Sequence, residues 1–350
     1  MLSEYVDFRE ALNEVQKLYA CALYKCESNN RDCVEKLTLE YKAYQKNLEK
    51  RYLAIPDLSE PDDQWINFED IIHAAPQATI QCHALNEDSL PDKMTGAIIG
   101  RLSGCILGVP VESWSSDDIH DMAMQFGDSF PPTNYWSNVY YPSRFLHHGW
   151  AKKSEYTRLG MNEAPVDDDT GFTILDLLVL EKYGADFQTS DIANIWKEHL
   201  PFAHTAEDIA LKNIKDGFPI QDIAIDGNPY TEWIGGYIRS DGWAWSCPGN
   251  PRKAAEFAWR DAFLTHRKNG MYGEIFFSAV EAAAFTEDSI DDLIKIGLQY
   301  IPQNCRLAKD VCWVLSQKNN VRTWRDAVEL VTQRFQGMAR VHTNNNACLV

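Results

Sequence analysis

Helical periodicity is the feature that most constrains the fold of this chain. From residue 168 onward, apolar residues recur at three- and four-residue spacing in successive segments that Gly or Pro residues separate. The segments predicted as helices are 169–184, 190–200, 206–216, 251–265, 271–285, 289–300, 306–318 and 324–335. No convincing run of alternating apolar and polar residues predicts a strand, and no internal repeat is present. The sequence therefore predicts an all-α fold.

The N-terminal region has a helical pattern of its own. Apolar residues lie on one face of 10–26 and again of 32–53, and Ser28-Asn29-Asn30 predicts a turn between these two segments. This order predicts an antiparallel helical hairpin. We expect residues 1–90 to form an N-terminal extension and residues 91–350 to form the main domain.

Charge and composition exclude some classes of partner. The formal net charge of −18, without a run of Lys and Arg, argues against binding to nucleic acids or anionic membranes. The first residues are acidic where a signal peptide would be basic, and no stretch of eighteen uninterrupted apolar residues predicts a membrane span. The nine cysteines form no CxxC pair, so we expect reduced thiols in a cytoplasmic protein.

A glycine stripe marks the helix that follows Pro91, for which Asp92 is a candidate N-cap. Gly96, Gly100, Gly104 and Gly108 recur at four-residue spacing, and each costs about 1 kcal/mol in a helix interior relative to alanine. The stripe predicts that another helix or a ligand packs closely against this face.

Glu112 follows the end of this helix after a Gly-Val-Pro exit. A carboxylate held at the end of a rigid helix is well placed to orient a water molecule. A solvated surface glutamate explains the same position, and the residue spacing alone does not decide between the two.

Three consecutive carboxylates, Asp167, Asp168 and Asp169, lead directly into an apolar helix. Like charges at this density require an opposite charge, which either the positive end of the helix dipole or a hard divalent cation such as Mg²⁺ supplies. The two alternatives are therefore a capped, solvated helix start and a metal site.

Polar and flexible residues interrupt the helical pattern from 234 to 285, and a loop rich in Pro and aromatic residues spans 126–166. The interrupting residues are Gly235, Gly236, Arg239, Asp241, Asp261, His266, Asn269 and Gly270. His266 is either a helix cap or a ligand contact, and helix capping also explains His342 and the three asparagines that follow it. The aromatic content of the loop predicts that it is ordered.

Together these segments resemble the ADP-ribosylglycohydrolase family from about residue 95 to the end. The family motif GDxxGxxxE corresponds to GCILGVPVE, residues 104–112, with Cys105 in place of the aspartate, as in the bacterial branch. A second family motif, Thr/Ser-Asp-Asp-Thr, corresponds to residues 167–170, with Asp167 in place of the hydroxyl residue. The PGNP turn, the His-x-x-Asn-Gly turn and VHTNNNA also resemble the bacterial branch.

The resemblance implies a fold, an activity and a set of site residues. It implies a single multi-helix orthogonal bundle, here with the extra N-terminal hairpin, that cleaves the glycosidic bond between ADP-ribose and a protein or small molecule. Glu112 would be the catalytic residue, and Asp167, Asp168 and Asp169 would be ligands of a Mg²⁺ pair. The implied substrate-binding residues are Gly108, His266, Asn269, Gly270 and Tyr272.

The family also carries a Gly-x-Asp-Thr-Asp motif that supplies the remaining metal ligands. This motif does not occur in residues 1–350, so we expect the second metal ion to lack those ligands. Three hypotheses follow: an active hydrolase of which these residues are a fragment, a truncated relative that binds ADP-ribose without cleaving it, and an interaction protein that acts through the hairpin. Substrate linkage and oligomeric state stay open.

Overall fold

The computed structural model describes residue 22 and residues 31–53, 65–77, 79–143 and 151–350. These residues fall into two compact units. The first consists of the described part of Met1–Pro61 together with Glu329–Ala339, and the second consists of the described part of Asp62–Val328 together with Arg340–Val350. The predicted boundary near residue 90 stays a prediction.

The prediction of an all-α fold is confirmed over the described residues, where an isolated antiparallel bridge between Trp233 and His342 is the only β pairing. In chain order the α-helices are α1 (Arg31–Leu53), α2 (Phe68–Ala74), α3 (Leu90–Gly108), α4 (Ser116–Phe126), α5 (Asp168–Tyr183), α6 (Thr189–His199), α7 (Thr205–Asp216), α8 (Ile220–Ile223), α9 (Ser240–Trp245), α10 (Pro251–Thr265), α11 (Lys268–Ala283), α12 (Ile290–Leu298), α13 (Arg306–Gln317), α14 (Trp324–Arg334) and α15 (Thr343–Ala347). Short 3₁₀ turns occupy Val109–Val111, Lys153–Tyr156, Gly184–Asp186 and Tyr237–Arg239.

Capping residues explain why the sequence predicts most helix ends to within a few residues. Gly217 ends α7 in the left-handed conformation at φ 80°, where a residue without a side chain is favoured. Pro251 occupies the first turn of α10, and the Ser289 side chain accepts a hydrogen bond from the Asp292 amide at the start of α12. The helix predicted over 10–26 lies outside the described residues, apart from residue 22.

Helix α11 is the centre of the core. It packs against α9, α10, α12, α13 and α15, and its side chains are buried around most of the helix circumference. A helix that is buried on all sides belongs to the interior of a protein. The elements around α11 therefore hold the polar residues of the 234–285 segment inside the molecule.

The glycine face of α3 differs from the expectation of close packing. A Cβ atom added at Gly96, Gly100, Gly104 or Gly108 would meet no described atom within 4 Å, so the close partner that the stripe predicts is not found among the described residues. The helix begins at Leu90 with Ser89 as its N-cap, so Asp92 lies in the first turn rather than at the predicted capping position. Leu90–Val111 is the one described helical stretch with the length and composition of a membrane span.

The aromatic loop that follows α4 is ordered over its described parts, as predicted. Trp136 and Val139 are buried with Met122 of α4, and the indole Nε1 of Trp136 donates a 2.9 Å hydrogen bond to the carbonyl of Leu107. Tyr156 is fully buried against Ile106. The loop therefore packs against the last turns of α3. His147, His148 and Trp150 lie outside the described residues.

Candidate active site

The acidic cluster occupies the N-terminus of α5. Asp167 is the N-cap, and its Oδ1 accepts a 3.1 Å hydrogen bond from the amide of Asp169. Asp168 and Asp169 lie in the first turn, where the helix dipole favours negative charge. Asp167 is only 5% exposed, so the helix start is capped, as one alternative predicts, but it is not solvated.

The segment that leads into the cluster is fixed by buried contacts. The hydroxyl of Tyr156 donates a 3.2 Å hydrogen bond to the carbonyl of Val166, and the Thr170 hydroxyl donates one of 3.2 Å to the carbonyl of Asp167. Both contacts hold main-chain atoms on either side of the Asp167 side chain. The cluster is therefore held by the protein scaffold rather than lying on a free loop.

Helix α3 brings a thiol to this cluster. One carboxylate oxygen each from Asp167 and Asp169 and the Sγ of Cys105 all lie within 4.8 Å of one another. Carboxylate oxygens are ligands that Mg²⁺ prefers, so this donor set fits a divalent cation held by Asp167 and Asp169. Sulfur is a softer donor that transition metals accept and Mg²⁺ does not favour.

Arg101 lies one turn before Cys105 on α3 and joins the cluster to neighbouring elements. Its Nη2 donates 2.6 Å hydrogen bonds to the carbonyls of Asp169 and Ile238. The same guanidinium lies 3.8 Å from the Asp169 carboxylate and 3.4 Å from that of Asp241. Arg101 therefore supplies a positive charge to a crowded acidic region and fixes the register of α3 against α5.

Burial and neighbouring acids favour the protonated forms of Asp169 and Cys105 more than in the free side chains. Burial raises the pKa of the Asp169 carboxyl to about 6, against the lowering effect of Arg101 and with a further increase from Asp167 and Asp241. Burial, together with Asp167 and Asp169, raises the pKa of the Cys105 thiol well above its usual value. A bound divalent cation would reverse this preference, because it favours the ionised forms.

Glu112 and Gly108 are on the exposed side of the α3 terminus. Glu112 directly follows the Val109–Val111 turn, and its amide donates a 3.4 Å hydrogen bond to the carbonyl of Val109. Both residues are exposed, so a ligand has access to the Glu112 side chain and to the main chain at Gly108.

The other four predicted substrate-binding residues are fully buried. The side-chain amide of Asn269 donates a 2.8 Å hydrogen bond to Glu232 and accepts one of 2.8 Å from the main-chain amide of Leu307. The Tyr272 hydroxyl donates a 2.9 Å hydrogen bond to the carbonyl of Trp65. His266 is the C-cap of α10, as one of the two alternatives for this residue predicts. Contact of His266, Asn269, Gly270 and Tyr272 with a substrate stays a prediction.

Arg239 is the centre of a buried ion-pair network. It is 0% exposed, and all five of its N–H groups donate. The acceptors, with their distances, are Asp261 (2.8 Å), Glu207 (2.5 Å), the Gly235 carbonyl (2.8 Å), Thr265 (2.8 Å) and Glu274 (3.2 Å). The guanidinium also lies over the rings of Phe172 and Trp196, at 5.5 and 5.3 Å from the ring centres.

This network contains more acids than its single arginine neutralises. Burial raises the pKa of Glu207 to about 7, although Arg239 opposes the shift. Burial together with Asp261 raises the pKa of both Glu274 and Asp176 well above the usual carboxyl range. Burial and Asp261 therefore favour the protonated form of Glu274, in which its carboxyl can donate a hydrogen bond to Asp261.

The VHTNNNA segment ends in the short helix α15. The His342 side chain accepts a 3.2 Å hydrogen bond from the amide of Asn344, and the Asn344 side chain donates 2.9 Å to the buried carboxylate of Asp310. His342 is thus the residue that caps the helix, and Asn344 provides a hydrogen-bond donor for the buried Asp310.

These features define an all-α protein in which one helix N-terminus holds three consecutive carboxylates and an exposed glutamate follows the end of another helix. The chain belongs to the ADP-ribosylglycohydrolase family, whose sequence model matches residues 86–347. The match includes all the site residues described above. The family consists of hydrolases of glycosidic bonds that are in general metal-dependent, and the match supports a hydrolase of this kind at the family level. No curated protein and no solved structure matches the chain.

Sequence reasoning missed three parts of the site. The proximity of Cys105 to Asp167 and Asp169 was not predicted, because the two helices are separated by a long loop. The anchoring role of Arg101 was not predicted either, although an arginine among the glycines of α3 was a visible signal. The acids around Arg239 come from separate helices, and their convergence leaves no spacing signature.

Proposed function

We propose that this chain is a metal-dependent hydrolase that cleaves the glycosidic bond between ADP-ribose and a modified protein or small molecule. The observation that carries the proposal is the convergence of Asp167 and Asp169 at the buried start of α5, within the part of the chain that the family model matches. A cytoplasmic location is part of the proposal and rests on the scattered cysteines, which form no CxxC pair. The family resemblance implies Mg²⁺ at the oxygen ligands, and the other donors of the cluster decide which divalent ion the site selects.

Charge explains why a cation is needed for this substrate. The pyrophosphate of ADP-ribose is anionic, and the adjacent acids Asp167, Asp168 and Asp169 would repel it. A divalent cation held by these carboxylates reverses the local field even though the whole chain is strongly acidic. When bound, such an ion orients substrate oxygens and polarises water.

The residues of the chain have separate roles in the proposed reaction. Glu112 lies on the exposed end of a rigid helix, and its carboxylate accepts the proton of the water that attacks the anomeric carbon. The exposed Gly108 allows a ligand to approach the main chain closely. Arg101 joins α3 to α5, and the proposal places Glu112, which follows the end of α3, in one site with the aspartates.

The first test is a calorimetric titration of ADP-ribose into the full chain, with Mg²⁺ in one series, Co²⁺ in a second and EDTA in a third. We expect binding that requires a metal and is lost in Asp168→Ala. Asp117→Ala is the matched control, because Asp117 is also an acid in the first turn of a helix, α4. Circular dichroism establishes that each variant is folded.

Two outcomes would overturn parts of the proposal. Binding that is unchanged in EDTA and in Asp168→Ala would place the site elsewhere. Absence of heat with both metals in a folded sample would remove the ADP-ribose site altogether. Metal-dependent binding without any release of product would instead support the binding protein that the sequence leaves as an alternative.

A further inference from the structure

The metal site proposed above contains a donor that Mg²⁺ does not explain. The Sγ of Cys105 lies within 4.8 Å of the nearest carboxylate oxygens of both Asp167 and Asp169. Cys105 is 8% exposed and Asp167 is 5% exposed, so two of the three side chains are enclosed by protein. A mixed set of one sulfur and two carboxylates is typical of ions softer than Mg²⁺.

We propose that Cys105 is a metal ligand, and that this chain therefore binds a divalent transition ion such as Zn²⁺ through Cys105, Asp167 and Asp169 in preference to Mg²⁺. The inference rests on the proposed function in assuming that the α5 cluster holds a metal. It specifies which ion that site selects. On binding, the sulfur forms a bond to the ion and the thiol proton is released to solvent.

The scaffold around the three donors supports ligation. Cys105 lies one turn after Arg101, whose hydrogen bonds to the carbonyls of Asp169 and Ile238 fix that turn of α3 beside α5. Zn²⁺ bonds of about 2.3 Å to sulfur and about 2.0 Å to oxygen bring tetrahedral donors to roughly 3.5 Å from one another. The three donor atoms, which lie within 4.8 Å of one another, would have to move closer together to reach this spacing.

Other free cysteines of the described chain do not share this environment. Cys312 is exposed and Cys247 is buried in the hydrophobic core. Among the described residues, Cys105 is the one cysteine that forms a group of potential metal ligands with two acids. A thiol at this position is therefore specific to the α5 site rather than one of many equivalent thiols.

Cobalt is a suitable probe, because Co²⁺ replaces Zn²⁺ and its thiolate complexes absorb in the near ultraviolet. We would titrate Co²⁺ into the full chain, Cys105→Ser and Cys312→Ser. The expected result is a charge-transfer band in the wild type and in Cys312→Ser that excess Mg²⁺ does not remove. Cys105→Ser should lose the band and bind Co²⁺ on the order of tenfold more weakly or worse, since even indirect partners of ligands contribute that much.

The outcomes separate this inference from the proposed function. If Co²⁺ binds to the wild type and gives visible absorption bands but no charge-transfer band, the site contains only oxygen and nitrogen donors. That result would overturn the role of Cys105 but leave the metal site. A band that persists in Cys105→Ser would assign it to another thiol and also overturn the role. Failure of both Co²⁺ and Mg²⁺ to bind would overturn both proposals. If Cys105→Ser does not fold, the wild-type spectrum is still decisive, because a missing band contradicts the inference.

Discussion

The Nε of Arg239 donates a 2.8 Å hydrogen bond to Oδ2 of Asp261, and both side chains are completely enclosed by protein. Asp261 Oδ2 also accepts a 3.2 Å hydrogen bond from the indole of Trp243. This ion pair joins α10 to the 3₁₀ turn before α9.

Replacement of Arg239 by methionine should greatly destabilise the fold. The variant keeps a long side chain but leaves Glu207, Asp261 and Glu274 without their buried counter-charge, which we expect to cost about 3–5 kcal/mol. The measurement is the free energy of unfolding in urea. Arg252→Met is the control, because Arg252 pairs with Glu69 on the surface and should lose at most about 1 kcal/mol. Similar losses in the two variants would contradict this account.

Buried carboxyls with raised pKa values should make the free energy of unfolding fall as the pH rises above their unfolded pKa values. Glu207, Glu274 and Asp176 bind their protons more tightly in the folded chain, since their pKa values are raised above the usual carboxyl range. Their contribution is therefore present in full below the unfolded pKa values, near 4, and is lost as the pH rises through the folded values, which begin at about 7 for Glu207. Each group that deprotonates contributes a slope of at most about 1.4 kcal/mol per pH unit.

The buried histidines should make the free energy of unfolding fall as the pH is lowered, which is the opposite of the effect of the buried carboxyls. Burial lowers the pKa of His266 well below 6.5 and that of His342 to about 4, so their contribution is lost as the pH falls below 6.5. Unfolding between pH 7 and 9 therefore isolates the acids. A stability that rises over this range would contradict the assignment of neutral buried carboxyls.

Glu274→Gln tests the hydrogen bond from protonated Glu274 to Asp261. Glutamine has the shape of the neutral acid and its amide donates to Asp261 without titrating, so the variant should fold normally. Its stability should fall less steeply between pH 7 and 9 than that of the wild type, as measured by urea unfolding at each pH. Asp292→Asn, at an exposed acid paired with Lys295, should keep the wild-type slope. A large loss of stability in Glu274→Gln at pH 7 would show that Glu274 is ionised.

Two glycines on different helices should respond to alanine with opposite signs. A Cβ atom at Gly242 in α9 would lie 2.5 Å from Oδ2 and 2.6 Å from Cβ of the buried Asp176, so Gly242→Ala should cost about 1–3 kcal/mol. At Gly100 in α3 the added atom meets nothing within 4 Å, and alanine should stabilise the helix by roughly 0.5–1 kcal/mol. Thermal unfolding of the two variants measures both effects. A destabilising Gly100→Ala would indicate a partner packed on the glycine face.

The sequence predicts local structure better than it predicts contacts between helices. Gly217, Pro251 and Ser289 mark helix ends because capping depends on residues close in sequence. Arg239 and Asp261 are visible as polar interruptions of apolar helices, but their pairing depends on tertiary packing. For that reason the buried network has no counterpart in the sequence pattern.

In the acidic cluster, too, the sequence predicts the local structure but not the contacts with other helices. The three aspartates are evident from the sequence, and so is their position at a helix start. Only Asp167 of the three is buried, and the Tyr156 hydroxyl from the preceding loop holds the carbonyl of Val166 next to it. The position of Cys105 beside them depends on how α3 packs against α5, which periodicity within a helix does not specify.

The measurement that tests the central claim most directly is release of free ADP-ribose by the full chain. The substrates would carry ADP-ribose on arginine, on serine and on a small molecule, each with Mg²⁺, with Zn²⁺ and with EDTA. We predict metal-dependent turnover of at least one substrate, with a rate about 100-fold or more lower in Glu112→Gln and in Asp168→Asn. Folded, metal-loaded protein that releases no ADP-ribose from any of these linkages, or turnover that EDTA and both substitutions leave unchanged, would contradict the proposed function.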